Sequence, residues 1–287
     1  MSTPIPITRV SQSRLTEALR ENSEFGCTFS DHMFVADWEA GSWKQPQIIP
    51  FAPISFSPAL TPFHYGQAIF EGFKAHRTPD DRVALFRPRE NFVRLNRSAA
   101  RLAMPEIPEP LFLEGVKELV RLDCDWIPHR EGGALYVRPT YFGVDDTLLV
   151  RPANRFRLIV MTCPVGPYFA QPIRLLAEER FVRAFPGGTG DSKAAGNYAG
   201  GLLAARLAQE KPVVGRHAVG MGGDLALEDI DVAAGKEIAQ MVVGAAIAQA
   251  HFEDRATELV DCGLEKIQAV ALRLHACDET VEAAHLV

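Results

Sequence analysis

The stretch from Phe185 to Gly200 (Phe-Pro-Gly-Gly-Thr-Gly-Asp-Ser-Lys-Ala-Ala-Gly-Asn-Tyr-Ala-Gly) limits the chain more than any other. It follows an apolar, strand-like run and is dense in glycine around Lys193. Glycine lets the backbone take positive φ and approach a bound group closely. A lysine held in such a loop differs from a solvated one, because burial or a nearby cation activates its amine as a nucleophile toward carbonyls. Two rival motifs fail here. A P-loop needs Gly-Lys-Ser/Thr, but Lys193 stands between Ser192 and Ala194. A nucleophile elbow needs Gly-x-Ser-x-Gly, and Gly190-Asp-Ser-Lys ends on Ala194. Local sequence alone leaves an incidental loop lysine as an equal alternative.

The 287 residues are 47% apolar and 23% charged, an ordinary globular composition with enough material for two domains. A formal net charge of −6 argues against a nucleic-acid partner, whose phosphates want a basic face. No apolar run is long enough for a membrane helix, and the N-terminus lacks the basic start and apolar core of a signal peptide. The five cysteines have neither paired nor metal-like spacing, so reduced thiols in a cytoplasmic protein and no metal site are expected.

Residues 1–24 read as a loosely attached polar lead-in with a helical turn around Leu15 to Leu19. A strand is expected from Thr28 to Val35. Phe70 to His76 and Val83 to Phe86 flank the turn cluster Pro79-Asp-Asp81 as a hairpin. Pro88 and Pro105 bracket a helix over Arg89 to Leu102, with Phe92, Leu95, Ala99 and Leu102 on one face. A second amphipathic helix is expected over Leu111 to Trp126, and further strands over Ala134 to Phe142 and Arg155 to Cys163. Gly166-Pro-Tyr168 marks an interdomain linker (166–171). A strand over Pro172 to Glu178 and a helix over Asn197 to Gln209 follow it.

The run Gly187 to Tyr198 closely resembles the cofactor-lysine segment of branched-chain amino acid aminotransferases, the fold-type IV pyridoxal phosphate enzymes. Six further landmarks occur in order: Phe25-Gly-Cys-Thr-Phe-Ser-Asp-His-Met33, Phe63-His-Tyr-Gly-Gln-Ala-Ile-Phe-Glu-Gly72, Phe86-Arg-Pro88, Arg94 through Pro105, Leu135-Tyr-Val-Arg-Pro139 and Pro164-Val-Gly-Pro-Tyr168. Together they cover residues 20 to 210. The resemblance implies an α+β fold of two domains, a small one over 25–165 and the beginning of a cofactor-binding one over 172–211. It implies pyridoxal 5′-phosphate as a Schiff base on Lys193, which would also shuttle a proton during transamination. Arg94 would hold the cofactor phosphate, as a guanidinium fork suits a dianion. Arg87, Arg89, Arg97 and Arg101 nearby keep a surface-helix reading of Arg94 open. Tyr198 would hydrogen-bond the cofactor's ring oxygen. Phe25, Tyr65, Phe70 and Tyr136 would line the substrate pocket, and Arg138 would help bind a carboxylate; core packing and a structural ion pair are their alternatives. Branched-chain amino acids and 2-oxoglutarate are the implied substrates, and a homodimer the implied assembly.

After Gln209 the resemblance stops. Met221-Gly-Gly-Asp224 looks like a fragment of the family's next loop, but Gly220 stands where the carboxylate that pairs the pyridine nitrogen belongs. Asp224 and Glu228 are candidate substitutes. Residues 212–287 form an atypical tail, with helices expected over Lys236 to Cys262 and Leu264 to Ala284, and an incomplete cofactor domain as the result. A truncated or recombined product, a shifted reading frame and a diverged relative all stay open. Two functional alternatives therefore stand beside transamination of branched-chain amino acids: a catalytically defective relative lacking a complete cofactor wall, and another fold-type IV activity such as D-amino acid transamination or a lyase reaction.

Overall fold

Period-two alternation in a few apolar strands decides the architecture. The structure, a computed structural model, describes residues 4–167, 174–175, 180–210 and 217–218. They fall into two units, one of residues 4–167 with 187–197 and one of the remainder. The first unit holds eight strands: β1 (His32–Glu39), β2 (Ser42–Trp43), β3 (Gln47–Pro50), β4 (Ala68–Phe70), β5 (Phe73–Arg77), β6 (Val83–Leu85), β7 (Ala134–Gly143) and β8 (Phe156–Val165). They form one antiparallel sheet in the order β2-β1-β8-β7-β5-β6, with β3 beside β1 and β4 beside β7. Its helices are α1 (Glu17–Asn22), α2 (Thr61–Tyr65), α3 (Pro88–Arg101) and α4 (Glu109–Leu122), and the chain in this unit is α+β.

Successive strand residues face opposite sides of a sheet. In β1, Phe34 and Ala36 join the large core with α3 and α4, while Met33 and Val35 join a separate cluster with Phe142 and Ile159. In β7, Leu135, Val137 and Tyr141 enter the large core. The intervening Tyr136 therefore turns to the other face, where it packs on Ala134 and Cys163. In β4 the same rule buries Ile69 completely in the large core. On the helix side Phe92, Leu95 and Ala99 of α3 meet Phe112, Val116 and Leu119 of α4. Each fully buried side chain of this size contributes about 1.5–3 kcal/mol of hydrophobic stabilisation before entropy is counted.

Helix α3 and the strands β7 and β8 start and stop within a few residues of the expected places. Other elements differ. The strand expected over Phe70 to His76 is broken at Glu71-Gly72 into β4 and β5. The first long strand begins at His32 rather than Thr28; just ahead of it the Ser30 N–H donates to the Thr162 carbonyl (2.9 Å), the Ser30 hydroxyl bonds that of Thr162, and Asp31 accepts from Trp126. The helix expected to run to Trp126 ends at Leu122 and continues as a 3₁₀ turn over Cys124–Trp126. The lead-in is fastened rather than loose. Ile7 bridges Ile48, the Val10 N–H donates to His32 Nε2 (3.1 Å), and Ile5, Ile7 and Leu15 pack on the core. Since His32 Nε2 accepts, its ring proton sits on Nδ1 and bonds the buried Asp123 at 2.6 Å.

The described part of the second unit includes α6 (Leu202–Glu210) and a parallel pair, β9 (Arg174–Leu175) with β10 (His217–Ala218). A short helix, α5 (Gly196–Ala199), precedes α6, so the single helix expected over Asn197 to Gln209 is broken at Gly200-Gly201. The helices expected after residue 235, and Asp224 and Glu228, lie outside the described residues. Among the described residues no helix is long and apolar enough to cross a membrane.

Asp31 carries the clearest pH dependence. Burial pushes its pKa up, but bonds from the Ser13 hydroxyl, the Arg14 N–H and Trp126 Nε1 outweigh it, with the Arg14 charge adding to them, and hold it below the ordinary 3.8. Its ionised form thus contributes stability above pH 3.8 that is lost as pH falls through the lower folded-state value. Asp31→Asn is expected to cost about 1–3 kcal/mol at pH 7, and the gap to wild type should close in acid. Urea melts at both pH values check this; a gap that does not change with pH would exclude the carboxylate as its source.

Candidate active site

The break between β4 and β5, at Glu71-Gly72, organises the site. Phe70 ends β4 opposite Thr140, and Phe73 starts β5 opposite Val137, leaving Arg138 and Pro139 across from the break. The Glu71 N–H donates to the Pro139 carbonyl (2.9 Å) and keeps the two chains together there. Arg138, two residues from Tyr136 on β7, shares its face; its guanidinium lies 4.6 Å from the Phe70 ring centroid and donates to Tyr136 Oη at 3.0 and 3.3 Å. Phe25 closes on Tyr136 edge to face, with ring centroids 5.0 Å apart.

Lys193 is delivered to the same place by backbone pairing. The Phe70 N–H donates to the Lys193 carbonyl (3.1 Å) and the Ala195 N–H to the Ala68 carbonyl (2.9 Å), so residues 193–195 add a short segment to the free side of β4. Lys193 Nζ lies 5.2 Å from the Phe70 ring centroid. One aromatic ring therefore serves two cations, Lys193 and Arg138, an arrangement ring quadrupoles favour. This pairing places the loop in the first unit, whereas the sequence assigned it to the beginning of the second domain.

Helix α3 holds the loop from the other side. Residues 94, 97, 98 and 101 recur at helical spacing on one face. The Ser98 hydroxyl accepts from the Lys193 N–H (3.0 Å), Arg97 donates to the Asp191 carbonyl (3.1 Å), and Arg101 donates to the carbonyls of Gly187 (3.1 Å) and Gly188 (3.2 Å). Within the loop the Asn197 amide donates to the carbonyls of Thr189 (2.7 Å) and Ser192 (2.8 Å). Arg94, on this face, forms a two-point ion pair with Glu71: Nε to Oε1 at 2.6 Å and Nη2 to Oε2 at 2.8 Å. Of the four arginines that rivalled Arg94 in the sequence, Arg97 and Arg101 bond loop carbonyls, and Arg87 and Arg89 pair with Glu90 and Glu109 on the surface, whereas Arg94 bonds a buried carboxylate.

Of the residues singled out by sequence, the structure joins Lys193, Phe70, Arg138, Tyr136 and Phe25 in one connected set and links Arg94 to it through Glu71 and Ser98. Tyr65 is not in the set. It is exposed at the end of α2, and its hydroxyl donates to the Leu148 carbonyl (2.5 Å). Tyr198 belongs to the second unit, where its carbonyl accepts from the Gly201 N–H (3.2 Å). His64 donates to the Pro58 carbonyl (2.9 Å), a structural bond. Burial raises the pKa of the Cys163 thiol above its ordinary value, against the opposing effects of the Gly26 N–H and the Arg138 charge, which disqualifies it as a nucleophile near neutrality.

Three residues here were missed: Glu71, Ser98 and Asn197. Glu71 left one trace, a lone acidic residue between Ile69-Phe70 and Gly72-Phe73, since a carboxylate in an apolar strand run calls for a buried partner. The donor set fits a phosphorylated aldehyde: an amine on a fixed backbone, a guanidinium of fixed plane and aromatic walls. The carboxylate of Glu71 is taken up by Arg94, so it is not offered to a pyridine nitrogen.

No family model matches the chain. It is 47% identical over 191 residues to branched-chain-amino-acid aminotransferase 2 of Bacillus subtilis (strain 168), covering 65% of this chain and 53% of that protein. To branched-chain-amino-acid transaminase 1 of the same organism it is 46% identical over 191 residues, 65% of this chain and 54% of that one. Among solved structures it is similar to a T.th. branched-chain amino acid aminotransferase complexed with N-(5′-phosphopyridoxyl)-L-glutamate, at 28% identity and a TM-score of 0.47 over 60% of this chain and 54% of that one. The chain spans about half the length of the curated relatives it matches. Over that span its curated relatives are branched-chain-amino-acid aminotransferases, as the motifs implied.

Gly72 gives a direct test of the geometry. A methyl added there would lie 1.9 Å from Tyr136 Oη and 2.7 Å from its Cζ. Gly72→Ala is expected to cost about 1–3 kcal/mol by overpacking. Combined with Tyr136→Phe, which removes the nearer atom, the loss should be smaller than the sum of the two single losses. Strict additivity in thermal melts would show that the two residues do not meet.

Proposed function

We propose that the chain acts as a pyridoxal phosphate-dependent transaminase that moves the amino group of leucine, isoleucine or valine to 2-oxoglutarate. The observation that carries this reading is the joining of Lys193, Phe70 and Arg138 at one strand break, with Arg94 fixed beside it. It is supported by the relatives at 46–47% identity, whose names state the activity.

In this reading the Lys193 amine would hold the cofactor aldehyde, would be freed when the substrate amine displaces it, and would then carry the proton from the substrate Cα to the former aldehyde carbon, the shift that transamination requires. Bound pyridoxal phosphate supplies an electron sink for the charge left at that carbon. Arg94 receives the phosphate, for which a guanidinium with a fixed plane is suited. Arg138, backed by Phe70 and Tyr136, faces the substrate with positive charge and binds a carboxylate. Phe25, Phe70 and Tyr136 supply the apolar wall for a branched side chain. One methylene is worth about 1–3 kcal/mol in such a wall, so a graded preference among aliphatic substrates is expected rather than strict exclusion. Tyr198 as the partner of the cofactor's ring oxygen, Tyr65 as a pocket residue and a cytoplasmic homodimer as the working form rest on the family resemblance.

Borohydride reduction of the full chain with pyridoxal phosphate is expected to fix the cofactor on Lys193 alone, as read by peptide mass. Lys193→Ala is expected to abolish the label and to lower leucine–oxoglutarate turnover by about 10³-fold or more. A label on another lysine, or none on folded protein, would overturn the proposal.

A further inference from the structure

Glu71 takes no part in the roles assigned above, yet no other carboxylate among the described residues is so fully enclosed and so directly bonded to the site. It is fully buried. A carboxylate removed from water is costly unless each oxygen is bonded, and here each one is. Oε1 accepts from Arg94 Nε, and Oε2 accepts from Arg94 Nη2 and from the Gly72 N–H (3.2 Å). The backbone of Glu71 is itself pinned, by its N–H on Pro139. Arg94, by contrast, reaches outward: 35% of its side chain is exposed. A long, partly exposed side chain ordinarily samples many rotamers. The two-point bond to an immobile carboxylate removes that freedom and fixes the guanidinium plane.

Stability alone is a poor reason for the pair, since apolar residues of similar volume often serve as well or better. What the pair adds is placement. Ser98 bonds both the Arg94 carbonyl one turn before it (3.0 Å) and the Lys193 N–H, so the helix turn that carries Arg94 is tied to the Lys193 backbone. We propose that Glu71 is a positioning residue for the phosphate of the cofactor: it sets the orientation in which Arg94 meets that group. The proposal rests on the cofactor reading given above and goes beyond it by naming the residue on which phosphate recognition depends.

Charge and orientation make opposite forecasts, which renders the idea testable. By Coulomb's law alone a negative group beside a phosphate dianion weakens binding, so neutralising Glu71 would tighten it. If Glu71 acts by orienting Arg94, neutralising it loosens binding. Pyridoxal phosphate and pyridoxal, which lacks the phosphate, are titrated into the full-length wild type, Glu71→Gln, Arg94→Gln and the double variant, following the absorbance of the bound aldehyde. Glu71→Gln is expected to raise the Kd for pyridoxal phosphate about tenfold, the scale of one misdirected charge-assisted hydrogen bond, and to leave that for pyridoxal unchanged. Added to Arg94→Gln it should have no further effect. Unchanged or tighter binding of pyridoxal phosphate by Glu71→Gln, or an equal loss for both aldehydes, overturns the proposal. Wild type that binds neither aldehyde overturns the cofactor reading and this inference with it, a result distinct from the other two. Should Glu71→Gln lack a cooperative melt, Glu71→Asp, which keeps the charge on a shorter arm, is expected to show the same phosphate-selective loss, and an equal loss for both aldehydes would again decide against.

Discussion

The hydrogen-bond register of β7 between β4 and β8 is the constraint on which the first unit depends. Ten residue pairs join β7 to β8, from Ala134 opposite Val165 to Gly143 opposite Phe156. A slip of one residue would exchange the two faces. Leu135 and Val137 would leave the helix-side core, and Tyr136 and Arg138 would enter it, placing a guanidinium among Phe34, Leu95 and Phe112. The packing that stabilises the sheet is therefore the same packing that selects which face carries the cationic residues. Site and core are two readings of one alternation.

Helix α3 makes a similar double use of its own period. Phe92, Leu95 and Ala99 face the sheet, while Arg94, Arg97, Ser98 and Arg101 line the side that meets the glycine-rich loop. A glycine-rich segment has few side chains with which to hold itself, and its carbonyls need donors. Two arginines and the Asn197 amide supply them, while the Ser98 hydroxyl accepts from the Lys193 N–H. The helix is thus both a lid on the core and a rail for the loop.

Much of this was legible in the sequence wherever a pattern repeats. The apolar face of α3, the alternation in β7 and the apolar run of β8 each span three or more periods, so tertiary context had little room to override them. Lys193, Arg94, Phe70, Tyr136 and Arg138 could be named because motifs in order reinforce one another. What repeats only once could not be read. The beginning of β1 was misplaced because Thr28 and Phe29 are strand-forming residues, and nothing in the local pattern shows that the strand begins only at His32. Glu71 was passed over because its significance lies in a residue 23 positions away, and no local spacing encodes that distance. The same holds for Arg97 and Arg101, whose acceptors are main-chain carbonyls 86 to 94 residues later.

The anchoring of residues 193–195 along β4 has a mechanical corollary. The main chain at Lys193 is clamped on both sides, by Ser98 at its amide and by Phe70 at its carbonyl. Any travel of the amine must then come from torsions of its own four-carbon stem, while the surrounding glycines stay docked. Such an amine works like a short crane on a bolted base: its reach is a few ångströms, its pivot is fixed, and it can change which atom it serves without a rearrangement of the fold.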